Sequence, residues 1–240
     1  MIKVLRSWNE IGLAINQLKK RGLPLHSEPA KNWDFENLRV LLDAERVSSE
    51  DTILDLGCGP SSRGCLTLNF LRAIGYRNLI GVDNYIPITA RVTSMAWGWR
   101  DFGTPFPYRL LRADIARTRL RGQLARAAVL LSVVEHGLDL RAVFAELKRL
   151  LMPGGVIYLS TDYWEDKIAT AFATASGARG NQALPWNIFD RSEIGRLVDI
   201  AQSLGFVLIE SPGDLACEAP TIHWGDRDYT FVALGFRKAL

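Results

Sequence analysis

The sequence predicts an α/β fold built on a doubly wound, mostly parallel sheet. From residue 52 onward, short apolar segments alternate with longer segments of helical periodicity, which is the pattern of consecutive β-α-β units. A glycine-rich turn follows the first predicted strand, and acidic residues follow the next ones. Because parallel strands of such a sheet end at the same edge, these residues are expected to meet at one site.

Length and composition indicate one large globular domain without disorder. The chain has 240 residues, of which 48% are hydrophobic and 23% charged. Its apolar runs are far too short to cross a bilayer, and its N-terminus lacks the apolar stretch of a signal peptide. We therefore expect a cytoplasmic protein without a membrane partner.

Charge and cysteine content limit the possible partners. The net charge of +3 is too small to indicate nucleic-acid binding, and the arginine-rich segment 109–126 is expected to be a solvated surface. The three cysteines match no zinc-binding spacing, so neither a metal nor a disulfide framework is expected. The oligomeric state is not indicated by the sequence.

The chain divides into an N-terminal cap and a main α/β region of the same domain. Residues 1–50 show helical spacing and are predicted to form a helical cap, whereas 51–240 carry the sheet. A loop rather than a helix joins the last two predicted strands, so the last strand is expected to be antiparallel. The seven predicted strands are 52–56, 79–82, 108–111, 127–132, 155–161, 206–210 and 229–236. The predicted helices between them are 66–74, 139–151 and 192–204.

Two segments are too long to be simple connections. Segment 84–107 is rich in aromatic residues, among them Trp97, Trp99, Phe102 and Phe106. Segment 162–189 contains an alanine-rich stretch, predicted to be helical, before two glycines at 177 and 180. Long insertions after strands often form binding loops, although the aromatic residues could instead complete the core.

The strongest local signal is the turn Asp55-Leu56-Gly57-Cys58-Gly59 after the first predicted strand. Glycines allow a backbone to approach a ligand closely, and the amides of the following helix would face that ligand. The third glycine comes only at Gly64, so the turn does not match the dinucleotide motif G-x-G-x-x-G.

Polar residues also follow the next three predicted strands. Asp83, followed by Asn84, stands at the tip of the second strand, where such folds bind a ribose diol. Asp114 follows the third strand and could accept a hydrogen bond from an exocyclic amine. The fourth strand runs into Ser132-Val-Val-Glu135-His136.

Together these residues resemble the class I S-adenosylmethionine-dependent methyltransferases, in the branch that acts on small molecules. The likeness also includes the turn that ends in Pro153-Gly154-Gly155, and it covers about residues 50–161 and the paired end strands. The family has a Rossmann-like sheet of six parallel strands and an antiparallel seventh, in agreement with the topology expected above.

The resemblance implies S-adenosylmethionine as cofactor and a role for each strand end. Asp55, Gly57, Cys58 and Gly59 would line the methionine side of the cofactor. The remaining cofactor residues would be Asp83 and Asn84 at the ribose, Asp114 and Ile115 at the adenine, and Ser132 near the sulfonium.

His136 is the candidate general base, because its ordinary pKa suits proton transfer near neutrality. The alternative is that it only orders the start of a helix. The acceptor pocket is predicted to be formed by Glu135, Asp162, Tyr163, Trp164 and Trp186, with Glu135 also able to anchor the turn. His223 and Trp224 are expected to serve packing or surface roles.

The predicted reaction is methyl transfer to a small molecule, as O-methylation of a sugar or secondary-metabolite hydroxyl. The Asn-Pro-Pro-aromatic tetrapeptide of adenine- and amino-methylating relatives is absent after the fourth strand, which argues against a DNA base as acceptor. Two alternatives remain open, an RNA or protein methyltransferase that uses the arginine-rich face and a non-catalytic cofactor-binding subunit. A nicotinamide-dependent oxidoreductase is a weaker third possibility.

Overall fold

A mostly parallel sheet forms the centre of the computed structural model, which describes residues 1–59, 65–104, 107–170, 172–175, 182–210 and 213–240. Five strands run parallel in the order β4-β3-β2-β5-β6, and β11 joins β6 in the antiparallel direction. Their bounds are β2 (Thr52–Leu56), β3 (Asn78–Asp83), β4 (Arg109–Arg112), β5 (Ala125–Leu131), β6 (Leu151–Tyr163) and β11 (Arg227–Lys238). The predicted α/β sheet and its antiparallel last strand are therefore confirmed.

The outer edge of β11 is covered by three short antiparallel strands instead of one. They are β1 (Ile2–Val4), β9 (Phe206–Leu208) and β10 (Ile222–Trp224). The sheet thus has nine strands among the described residues, two more than predicted. A three-residue strand is too short to show an alternating pattern, so β1 was missed in a segment predicted to be helical throughout.

Helices pack on both faces of the sheet. The six α-helices of the described residues are α1 (Trp8–Lys20), α2 (Lys31–Ala44), α3 (Leu66–Ala73), α4 (Ile88–Phe102), α5 (Leu140–Leu150) and α6 (Arg191–Ser203). Asp139 and Asp190 cap the start of α5 and α6, because their carboxylates accept hydrogen bonds from backbone amides of the first turn. None of the described helices has both the length and the apolar character needed to span a membrane.

The two faces of the sheet carry separate apolar layers. On one face Phe144 of α5 lies edge-on to Phe206 and Phe236, with centroid distances of 5.8 and 5.7 Å. On the other face α1, α2 and α3 share one apolar layer with the sheet, in which α2 contacts β6 and α3 contacts β3, burying Leu38 and Tyr158. This second layer fixes α2 so that its first turn lies at the carboxyl end of the sheet.

Both predicted insertions have regular structure. Segment 84–107 contains α4, whose Trp99 is exposed and does not complete the core. Segment 162–189 contains a hairpin of β7 (Phe172–Ala175) and β8 (Gln182–Pro185), so the helix predicted there is wrong. Pairing with the neighbouring strand β8 satisfies the backbone of β7, and alanine-rich composition does not indicate such pairing. Phe106, Gly177, Gly180 and the side chain of Trp97 lie outside the described part.

Candidate active site

The glycine turn after β2 is held by close contacts with both neighbouring strands. The amides of Gly57 and Cys58 donate to the carbonyl oxygen of Val82, at 2.8 and 3.2 Å. Gly57 has a φ of +79°, and a Cβ there would lie 2.6 and 2.7 Å from the two methyl groups of Val133. Only glycine satisfies both constraints, so the backbone of the turn lies directly against the segment that follows β5.

Asp83, at the end of β3, is buried beneath the turn. One carboxylate oxygen accepts from the Gly59 amide at 3.2 Å, and the other accepts from the Tyr85 amide at 2.9 Å. The carbonyl oxygen of Asp83 accepts from the Ala113 amide at 2.9 Å, which brings the end of β4 alongside. The structure therefore brings together the residues that were predicted to form a site at the ends of β2, β3 and β4.

The other predicted residues at this end are more exposed. Asn84 is exposed, and its carbonyl oxygen accepts from Arg112 at 3.1 Å. Asp114 is exposed and accepts the amide of Ala116 at 2.8 Å, whereas Ile115 is buried. Residues 60–64, which include the predicted Gly64, lie outside the described residues.

Asp55 is a buried carboxyl beside the glycine turn. Its Oδ2 atom has no hydrogen-bond partner among the described residues. Burial, together with the negative charge of Asp83, raises the pKa of Asp55 to about 8. A carboxyl in this state would be stabilised by a cationic group of a ligand, such as an ammonium.

Lys31, in the first turn of α2, is a site residue that sequence reasoning missed. Its ammonium donates to the hydroxyl of Ser132, which ends β5 with a φ of +51°. The Lys31 nitrogen also lies 3.7 Å from Asp34 Oδ2 and 3.7 Å from the centre of the Phe231 ring. A residue of the N-terminal segment therefore reaches the carboxyl end of β5 and the amino-terminal part of the antiparallel β11.

Asp34 is a second missed residue. It is fully buried, and its Oδ1 atom accepts from the Tyr158 hydroxyl at 3.1 Å. Burial raises its pKa, although the charge of Lys31 acts in the opposite direction. One signal was present in the sequence, because Asp34 precedes Leu38 and Leu41 on the apolar stripe of α2, a place where a carboxylate is unusual.

Glu135 and Asp162 extend the same acidic cluster. Glu135 is buried, and its carboxylate accepts from the Thr161 hydroxyl at 3.1 Å. Asp162 is also buried and accepts from the Trp186 indole at 2.8 Å. Burial raises the pKa of each to about 7, and for Asp162 the charge of Glu135 adds to the effect.

An aromatic wall stands beside these carboxyls. Trp186 lies edge-on to Trp224 and Tyr229, with centroid distances of 5.0 and 5.8 Å. Trp164 is partly buried nearby, and its amide donates to the Phe189 carbonyl oxygen at 3.0 Å. Trp224 is 45% exposed and contacts the outer part of this wall.

Tyr163 is not brought to this cluster. Its side chain is buried in the opposite layer, and its hydroxyl donates to the Leu215 carbonyl oxygen at 2.8 Å. Neighbouring side chains on a strand point to opposite faces, so Asp162 and Tyr163 cannot line the same pocket.

His136 ends the short 3₁₀ turn Val134–His136 and is partly exposed. Its Nδ1 atom lies 3.0 Å from the carbonyl oxygen of Pro185. Because a carbonyl only accepts, Nδ1 is the donor in this contact, so the tautomer that the contact selects has its lone pair on Nε2. His223, by contrast, is exposed, and its Nδ1 atom lies 2.6 Å from Asp228 Oδ1.

Solved structures with a similar fold cover nearly the whole chain. The 4+2 cyclase SpnF has a TM-score of 0.61 at 11% identity, covering 97% of this chain and 94% of its own. Geranyl diphosphate C-methyltransferase from Streptomyces coelicolor A3(2), solved with S-adenosyl-L-homocysteine, has 0.59 at 17%, covering 91% and 86%. The 1,6-didemethyltoxoflavin-N1-methyltransferase from Burkholderia thailandensis has 0.51 at 16%, covering 98% and 92%.

These likenesses define the fold as that of the class I methyltransferases. No protein of curated function matches the sequence. The family described as "Methyltransferase domain" matches residues 35–211. The chain belongs to this family and is an S-adenosylmethionine-dependent methyltransferase, so the predicted enzyme class and cofactor are confirmed.

Replacing Gly57 by alanine is expected to lower the free energy of unfolding by about 2–3 kcal/mol, because it adds backbone strain and a clash with Val133. Urea unfolding measures the change. A Val133→Ala substitution in the same chain should recover only the part caused by the clash. Gly195→Ala is the matched control, since a Cβ there meets no atom within 4 Å, and it should be neutral or slightly stabilising.

Replacing Asp55 by asparagine should stabilise the protein progressively as the pH rises. The folded protein keeps the Asp55 proton up to about pH 8, whereas the unfolded chain loses it near about pH 4. Unfolding of the wild type therefore releases a proton between these values, and its stability falls as the pH rises. Urea unfolding at several pH values should show the difference growing up to about pH 8, whereas Gln202→Ala at an exposed site, which changes no titratable group, should show a constant one. A constant difference for Asp55→Asn would contradict the assignment.

Proposed function

We propose that this enzyme transfers the methyl group of S-adenosylmethionine to a hydroxyl of a small molecule, such as a sugar or secondary metabolite. The observation that carries the proposal is that two different groups of residues meet at the carboxyl end of the sheet. The first half-site is the glycine turn with the buried Asp55 oxygen that has no hydrogen-bond partner among the described residues. The second half-site is the acidic and aromatic cluster that includes His136. The contact between Gly57 and Val133 connects them.

The residues of the first half-site fit the cofactor. Asp55 has a buried oxygen available for the ammonium of the methionine part, and Gly57, Cys58 and Gly59 supply backbone that a ligand can approach. Asp83, at the tip of β3, and Asn84 after it would hold the ribose hydroxyls. Asp114 and Ile115 would hold the adenine, and Ser132 would lie near the sulfonium.

When bound, the cofactor supplies a methyl group on a sulfonium, so the protein mainly has to align the acceptor and remove its proton. The hydrogen bond to Pro185 supports His136 as the base, since it leaves Nε2 to accept the proton of an acceptor hydroxyl. The same bond fixes the ring orientation, which a general base requires.

The second half-site supplies the proposed acceptor pocket. Asp162 and Trp186 form a hydrogen-bonded pair, Glu135 lies buried beside them, and Trp164 stands at the same end of β6. A pocket with apolar walls and a few placed polar groups is typical of small-molecule sites. Tyr163 is left out of this proposal because its side chain points into the opposite layer.

Calorimetry with S-adenosylmethionine and S-adenosylhomocysteine tests the first half-site. Binding in the micromolar range is expected for the wild type, as is a loss of at least about tenfold in Asp83→Ala, because the ribose hydroxyls lose a charged acceptor. A nicotinamide dinucleotide should not bind. Absence of binding by either sulfur compound to the wild type would overturn the proposal.

Replacing His136 by alanine should lower kcat by about 10²- to 10⁴-fold with a hydroxylated acceptor, because the proton of the acceptor loses its base. Transfer of a labelled methyl group to a panel of hydroxylated small molecules measures this. Binding of S-adenosylhomocysteine should be unchanged. His223→Ala is the matched control, since that ring is exposed and pairs with Asp228. An unchanged rate in His136→Ala would assign His136 an anchoring role instead.

A further inference from the structure

The ammonium of Lys31 occupies a site built from carboxyl groups, hydroxyls and an aromatic face. It donates to Ser132, lies 3.7 Å from Asp34 Oδ2 and stands 3.7 Å above the Phe231 ring centre. An ammonium over a ring face next to a carboxylate is the arrangement by which proteins recognise amines. The acceptor half-site thus already holds an ammonium, which comes from the protein itself.

The carboxyl groups around this ammonium outnumber it. Asp34, Glu135 and Asp162 are all buried, and the charge of Lys31 acts on each of them. One ammonium can balance only one carboxylate, and an unbalanced buried carboxylate is costly. The site therefore favours a cationic group, and Lys31 supplies it in the free protein.

Two buried polar atoms in the same place remain unbonded. Asp34 Oδ2 has no hydrogen-bond partner among the described residues, only the longer ion pair with Lys31. The hydroxyl oxygen of Ser160 also has no hydrogen-bond partner among them, although it lies close enough to Asp34 to lower the pKa of that carboxyl. Ser160 is fully buried and lies on the same face of β6 as Tyr158 and Asp162. Buried polar atoms without partners in a site are available to a ligand that donates hydrogen bonds.

Further rings extend the aromatic face beyond Lys31. Phe231 contacts Tyr229 at a centroid distance of 6.3 Å, and Tyr229 in turn contacts Trp186. Trp186 is also the donor to Asp162. Carboxyl groups and aromatic rings thus lie together along one wall, and such an environment stabilises a desolvated cation.

Solvent reaches the Lys31 side chain in this site. Lys31 lies at the start of α2, its side chain is 13% exposed, and its stem is long and flexible. An ammonium from a ligand could take its place without changing the fold, because the helix is held by its own buried apolar stripe.

We propose that the methyl acceptor carries an ammonium group, as an amino sugar does, and that this group binds in the site which the Lys31 ammonium fills in the free protein. The inference rests on the proposed function, because it assigns a substrate class to the same acceptor pocket. The ammonium serves recognition, and the acceptor hydroxyl remains the group that is methylated.

The test uses Lys31→Ala, which removes three carbons and the ammonium, and n-propylammonium, which has the same atoms. Added n-propylammonium should raise the Tm of Lys31→Ala by about 3 °C, whereas n-propanol should not. The wild type, in which the amine has to displace Lys31, should show a smaller shift with n-propylammonium, and Lys31→Met, in which the space is filled, should respond to neither compound. Asp162→Asn in the Lys31→Ala background should abolish the response, and Lys20→Ala on an exposed surface should behave like the wild type.

Equal shifts with the amine and the alcohol, or no shift with either, would overturn the inference. If Lys31→Ala does not fold alone, refolding with n-propylammonium but not with n-propanol supports it, and failure with both overturns it. Calorimetry with S-adenosylhomocysteine separates the two proposals, since retained cofactor binding without an amine response defeats only this one. A methyl acceptor without an ammonium group would also overturn it.

Discussion

The packing of Val133 against the bare backbone of Gly57 is the constraint on which the arrangement of the site depends. It joins the carboxyl ends of β2 and β5, the two strands at which a doubly wound sheet reverses direction and opens a crevice. The glycine turn lies on the β2 side of this contact, and Ser132, Glu135 and His136 lie on its β5 side. A larger residue at position 57 would separate the two half-sites.

Buried acid groups are the second organising feature. Asp55 on one side of the crevice and Glu135 and Asp162 on the other all have raised pKa values, chiefly because burial disfavours their charged forms. Such groups cost stability in the free protein and are typical of functional sites. Their distribution supports a ligand with positive charge at both ends of the crevice, a sulfonium compound at one and an amine at the other.

The N-terminal segment is part of the site as well as of the fold. Its strand β1 pairs with β11 within the sheet, and its helix α2 packs on the face of the sheet that carries Tyr158. These contacts carry Lys31 and Asp34 to strand ends that lie about a hundred residues away in sequence. The hairpin of β7 and β8 acts in a similar way, since Pro185 orients His136 and Trp186 bonds to Asp162.

The sequence by itself determined the sheet, the glycine turn and the acidic residues at the strand ends, because these follow from local periodicity and from residues that stand next to each other in the chain. It determined the enzyme class for the same reason. Only the tertiary structure decided that Lys31 and Asp34 enter the acidic cluster, that Tyr163 lies outside it and that the alanine-rich stretch contains a strand. The first two outcomes depend on contacts between distant segments and on which face of a strand is covered, and the third depends on pairing with β8. None of these is encoded in a local pattern.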